Sequence, residues 1–156
     1  MEYKIVTLEE KTVIGLCGRT NNHSPQMGQV ITNLWQHFYS ADIYPNITHR
    51  KNDKALGIYT DYASDDMGDY TVMVGCEIAK DGENQMKAGE MVIRHIPAGK
   101  YALFVVRGHM VQAVAEFWQK LWQMDLNRAF LYDFEEYQNA SVEAAEIHIY
   151  IRLKDE

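Results

Sequence analysis

The sequence predicts an α+β fold built from two pseudo-symmetric βαββ repeats, antiparallel sheets with a helix packed on each, meeting at a central cleft. Three observations predict it. Strand-like runs are interrupted by two helical apolar stripes, the second half repeats the order of the first, and a polar, glycine-containing stretch from Lys80 to Gly89 separates the halves. The 156 residues suffice for one core, so a single domain 1–156 is expected, with repeat one at about 1–80 and repeat two at about 90–156.

In chain order, Tyr3 to Leu8 reads as a strand, and Thr12 to Cys17 as a second β-rich run. Ser24-Pro25 is a helix start, with Ser as N-cap and Pro at the first helical position. Met27, Val30, Ile31, Leu34, Trp35 and Phe38 then form one wide apolar stripe that stops before Tyr44-Pro45. Ala55 to Tyr62 and Tyr70 to Ile78 read as a hairpin, with Tyr70, Val72, Val74, Cys76 and Ile78 on one face. The loop between them holds Asp61, Asp65, Asp66 and Asp69 without the ligand order of a calcium loop, which predicts a solvated acidic loop.

Beyond the Asp81-Gly82 turn signal the pattern begins again. Ile93 to Phe104 lies over Ile5 to Leu16 without a gap, matching Leu8 with Ile96, Val13 with Tyr101 and Leu16 with Phe104; Arg19 then falls on Arg107. Val111, Val114, Ala115, Trp118, Leu121 and Trp122 repeat the helical stripe. Phe134 to Tyr137 and Glu146 to Leu153 follow as strands, the latter with Ile147, Ile149, Ile151 and Leu153 alternating.

Composition excludes several functions. The formal charge is −7 and no basic stripe is present, so no direct nucleic-acid contact is expected. There is no apolar run long enough to span a bilayer, and Met1-Glu2-Tyr3-Lys4 lacks a signal-peptide core; a cytoplasmic location without membrane contact is expected. Cys17 and Cys76 sit in apolar strand-like runs and read as buried free thiols. The six histidines show no zinc spacing, and nucleophile-elbow, phosphate-loop and H-E-x-x-H motifs are missing, so neither metal nor cofactor is expected.

The chemistry concentrates at Asp133-Phe134-Glu135-Glu136-Tyr137. Alternation puts Glu135 and Tyr137 on one face, Phe134 and Glu136 on the other. Both glutamates could decorate a solvated edge strand. The repeat favours separate fates, because Ile58-Tyr59 corresponds to Phe134-Glu135, an aromatic standing where the second half has a carboxylate. A cleft at the pseudo-dyad then gathers Tyr59, Glu135 and Tyr137, with Phe104 on its wall, and leaves Glu136 as a solvated charge. Trp118 and Trp122, four residues apart, pack a helix on a sheet or send one ring, Trp118, into the cleft; Trp35 reads as core.

A carboxylate among aromatic walls suits a cation with apolar bulk. Burying it alone costs several kcal/mol or neutralises it, and each aromatic face adds about 0.5–2 kcal/mol of cation–π attraction. The candidate ligand-binding residues are therefore Glu135, Tyr137, Tyr59, Phe104 and Trp118. Two alternatives stay open. Glu135 could act as general base beside a tyrosine acid on a strained or electrophilic substrate, or the acidic loop Asp61 to Asp69 could meet a protein partner.

The segments VIGL, NLWQHF, LGIYTDY, IPAGKYALFVVRG, FWQKLW, DFEEYQ and EIHIYIRL, in this order from about Tyr3 to Lys154, resemble the effector-binding domain of AraC/MerR-type multidrug regulators, the GyrI-like domain. The resemblance implies a pair of βαββ units around a pocket whose base carries an acidic residue of the late strand that meets cationic ligands. That role falls on Glu135, with Tyr137 as its companion. The chain leaves no room for a helix-turn-helix domain, so a stand-alone module is expected, similar to integron cassette-encoded proteins that bind cationic compounds. Other stand-alone members modulate gyrase or hydrolyse cyclopropane-containing compounds.

Overall fold

The computed structural model describes residues 1–40, 43–65, 67–85 and 91–155. The elements are β1 (Lys4–Leu8), β2 (Lys11–Thr20), α1 (Met27–Phe38), β3 (Arg50–Thr60), β4 (Tyr70–Ile78), β5 (Val92–Ile96), β6 (Gly99–Gly108), α2 (Met110–Leu121), β7 (Arg128–Tyr137) and β8 (Ala145–Leu153). They form a mixed α/β fold with one antiparallel sheet in the order β1-β6-β8-β7-β3-β4-β2-β5.

This corrects the expected architecture twice. The sheet is continuous, because β3 and β7 pair directly and place Gly57 opposite Glu135. Each half also holds one strand more than βαββ, since β1 and β5 are short strands in their own right. Each is exchanged: β1 pairs with β6 of the second half, and β5 with β2 of the first. The strand carrying Glu135 therefore lies at the centre of the sheet, not at an edge.

Alternation assigns the two faces. Val13, Leu56, Ile58, Met73, Ile96, Tyr101 and Phe134 form one cluster drawn from strands at both ends of the sheet. Eight flat strands would hold those ends about 30 Å apart, so the sheet must curl around this cluster. The opposite face carries the helices. Leu34, Trp35 and Phe38 of α1 pack on Ile14, Leu16, Val74 and Cys76 of β2 and β4. Phe117 and Leu121 of α2 pack on Ala102, Phe104, Ile147 and Ile149 of β6 and β8. Each helix covers its own flank and leaves the outer face of the central β3–β7 pair uncapped. That gap is the site.

Local differences have local causes. The helix α1 begins at Met27, two residues after Pro25, because Ser24 caps a preceding turn: its Oγ accepts from the Gln26 N–H and its carbonyl from Met27 N–H, both at 3.2 Å. The acidic loop is not wholly solvated, since Arg94 bonds the Asp61 carboxylate at 2.8 Å; Asp66 lies outside the described residues. In the separating stretch, Lys80–Gly82 forms a 3-10 turn and residues 86–90 lie outside the described residues. Both cysteines are free; Cys76 is buried, which pushes its thiol up to about 11, while Cys17 is half-buried. Among the described residues, no helix is long and apolar enough to cross a membrane.

Candidate functional site

Between α1 and α2, over the β3–β7 pair, lies a cavity of about 1160 Å³. Apolar and aromatic side chains of both helices form its walls, among them Met27, Ile31, Trp35, Val114, Trp118 and Trp122. Tyr59, Glu135 and Tyr137 form its floor. These three share a face because Tyr59 lies two residues beyond Gly57, the partner of Glu135, and Tyr137 two residues beyond Glu135 itself.

Three neutral donors converge on the Glu135 carboxylate. Oε2 accepts from Trp118 Nε1 at 2.7 Å and from Tyr59 Oη at 2.9 Å, and Oε1 accepts from Tyr137 Oη at 2.9 Å. Glu135 is only 2% exposed. Burial raises its pKa, and the three hydrogen bonds oppose that rise without cancelling it. The tyrosines are shifted in the same direction, Tyr59 and Tyr137 well up, by burial first and by the Glu135 charge second. They stay protonated donors at neutral pH.

A second buried carboxylate sits one turn of the strand pattern away and shows what compensation looks like. Asp133 accepts from Arg128 Nη2 at 2.8 Å, from Tyr62 Oη at 2.6 Å and from the Arg152 backbone N–H at 2.9 Å. A guanidinium bonds Asp133, whereas no cation is among the three donors that bond Glu135. A carboxylate has about four lone-pair sites, and Glu135 uses three. It is held in place and keeps one lone-pair site for a partner from the cavity.

The structure thus brings together Glu135, Tyr137, Tyr59 and Trp118. It does not bring Phe104 to them. Phe104 shares a face with Val106, but that face lies under α2, where its ring meets Phe117 and Tyr3, each at 5.1 Å, and it is 2% exposed. Glu136, expected in solvent, is 9% exposed and accepts from Gln138 Nε2 at 2.8 Å. Trp35, read as core, contributes to the core and also lines the cavity, its ring edge-on to Tyr137 at 5.6 Å. A signal for it existed: both helices carry a Trp-Gln pair, Trp35-Gln36 and Trp118-Gln119. Tyr39, Tyr44, Tyr62, Tyr70 and Arg128 also line the cavity and were not anticipated. Among the described residues, no group of three or more His, Cys, Asp or Glu side chains is placed to hold a metal ion.

A curled antiparallel sheet with one helix over each flank, and an aromatic cavity at its uncapped centre, defines a small-molecule-binding domain. The chain belongs to the GyrI-like small molecule binding domain family, whose model matches residues 1–154. No curated protein matches the sequence. Among solved structures, an integron cassette protein from the mobile metagenome of Vibrio cholerae is 30% identical, with 96% of this chain and 95% of that one covered and a TM-score of 0.72. SAV2435, solved bound to tetraphenylphosphonium, is 20% identical, with 99% and 94% covered and a TM-score of 0.74. The C-terminal domain of EcmrR is 15% identical, with both chains covered in full and a TM-score of 0.58. At their identities the last two share the fold.

Proposed function

We propose that this protein binds amphipathic small molecules carrying a single positive charge, with Glu135 meeting the charge and Tyr59, Trp118, Tyr137 and Trp35 supplying the aromatic surround. One observation carries the reading: a buried carboxylate, bonded by three neutral donors, on the floor of a large apolar cavity. Such a group is unfavourable in the empty protein and becomes favourable when a desolvated cation joins it. The tetraphenylphosphonium bound by the similarly folded SAV2435 has this character, a shielded cation within apolar bulk. The cavity walls are broad and include Met27 and Met110, whose flexible side chains adapt to different shapes. Specificity is then for charge rather than outline.

The same proposal treats the 156 residues as a binding module without a DNA-reading element of their own. Its two helices lie on the sheet with strands on either side of each, and the formal charge is −7. It also takes the halves as a pseudo-symmetric repeat. In support, strands and helices match in length in the order 5, 10, 12, 11 and 9 residues against 5, 10, 12, 10 and 9. Hydrolysis with Glu135 as general base has less support, because Oε2 already accepts two hydrogen bonds. The test is a tryptophan-fluorescence titration with tetraphenylphosphonium. Binding by the wild type and at least tenfold weaker binding by a folded Glu135→Gln variant is expected; equal affinity overturns the proposal.

A further inference from the structure

The two oxygens of Glu135 are not equivalent. Oε2 is occupied by two donors, Tyr59 and Trp118, and Oε1 by one, Tyr137. The acceptor capacity left for a ligand is therefore on Oε1. The position of Oε1 depends on a residue outside the hydrogen-bond set. Gly57 faces Glu135 across the β3–β7 pair, and a Cβ built on Gly57 would stand 2.9 Å from Oε1 and 3.7 Å from the Glu135 carboxyl carbon. That is too close for an ordinary Cβ contact. The carboxylate lies across the space that any other residue would fill with its side chain. Trp35 bounds the same space from α1, with its ring carbon Cζ2 3.6 Å from that Cβ position, and its ring stands edge-on to Tyr137, the donor to Oε1.

We propose that Gly57 and Trp35 are the positioning residues that set the charge selectivity of this site, seating Oε1 of Glu135 as the oxygen that receives the ligand's positive charge. The inference rests on the reading of Glu135 given above and adds Gly57, which leaves the carboxylate its space, and a positioning role for Trp35. Gly57 has an ordinary negative-φ strand backbone, so its role is space and not backbone freedom: glycines with positive φ in the described residues are Gly99 and Gly108. An alanine at 57 is compatible with the strand but pushes Oε1 away, either up into the cavity or off Tyr137. Trp35 bounds that space from α1 and packs edge-on against the Tyr137 ring, whose hydroxyl bonds Oε1. Together they turn a mobile glutamate into a fixed charge at one point of the cavity floor.

The experiment compares a cation with an uncharged molecule of similar shape, tetraphenylphosphonium and triphenylphosphine oxide, by calorimetric titration of the full chain. For Gly57→Ala, with folding checked by thermal unfolding, affinity for the cation is expected to fall about tenfold as the carboxylate is displaced from the point nearest the ligand's charge, while affinity for the neutral probe stays within about twofold. Trp35→Phe keeps an aromatic ring on the core and serves if Gly57→Ala does not fold; the ratio of cation to neutral affinity is expected to drop several-fold. Equal losses for both probes would mean that these residues only shape the cavity, and unchanged affinity for both would mean that they do not hold Oε1; either result overturns the inference. If Glu135→Gln weakens the cation while both variants leave the ratio intact, the inference fails alone. If Glu135→Gln also has no effect, the underlying reading fails with it.

Discussion

Replacing Glu135 by Gln separates the binding role of this side chain from a structural one. The amide oxygen can take the place of Oε2 and accept from Trp118 and Tyr59, and the amide nitrogen can donate to the Tyr137 oxygen once that hydroxyl rotates. Three hydrogen bonds to a charge become three neutral ones, a loss of about 1 kcal/mol each, while the desolvation of a buried charge disappears, a gain of several kcal/mol. The two nearly cancel, and stability at neutral pH should change by no more than about 1 kcal/mol. Glu135→Ala differs. It strands three donors and should cost about 2–4 kcal/mol, softened where cavity water reaches them. Cation binding should respond in the opposite proportion. Unit charges 4 Å apart attract by about 4 kcal/mol at an effective dielectric of 20, and after the ligand's own desolvation about 2–3 kcal/mol should remain, roughly 30- to 150-fold in Kd. Denaturant unfolding and titration with tetraphenylphosphonium measure the two quantities. A Gln variant as unstable as the Ala variant, with binding retained in the folded fraction, would refute the reasoning.

Four further outcomes follow from the same geometry. Burial raises the Glu135 pKa above its unfolded value, so its contribution to stability falls as pH rises from the ordinary carboxylate range through the raised value and is constant above it. Cation affinity should run the other way, weakening about tenfold per pH unit below the raised value and staying flat in Glu135→Gln; the facing tyrosines Tyr59, Tyr137 and Tyr70 are shifted up and do not titrate there. Phe104→Ala should destabilise by about 3–5 kcal/mol in denaturant unfolding while the folded fraction keeps its cation affinity, since the ring lies under α2. Arg128→Met should cost about 3–5 kcal/mol in denaturant unfolding by leaving the Asp133 carboxylate buried without its guanidinium.

The strands and both helices were legible wherever side chains alternate or recur at helical spacing without interruption. The common face of Glu135 and Tyr137 follows from alternation alone, and the bond from the Tyr137 hydroxyl to Oε1 is its consequence. The start of β7 was hidden because Phe130 has φ of +54° and the pairing with β8 shifts register between Arg128 and Asp133. The start of β3 was hidden by another irregularity between Arg50 and Ala55, in a charged run that reads as loop. Parity told correctly that Phe104 and Val106 share a face but could not tell what covers it, because that depends on strand order. The exchange of β1 and β5 between halves sets that order, and no local pattern announces it. Likewise the ion pair of Asp133 with Arg128 needs the irregular turn between them, and Trp35 could be placed on its stripe but not at the edge where the stripe meets the cavity.

The central claim is that the uncapped centre of the sheet receives a cation at Glu135, and the structure of the complex with tetraphenylphosphonium tests it most directly. The phosphonium is expected between α1 and α2, its rings against Trp35 and Trp118 and its charged centre nearest Oε1. A cation found elsewhere on the protein, with Glu135 still bonded only to Tyr59, Trp118 and Tyr137, would contradict it.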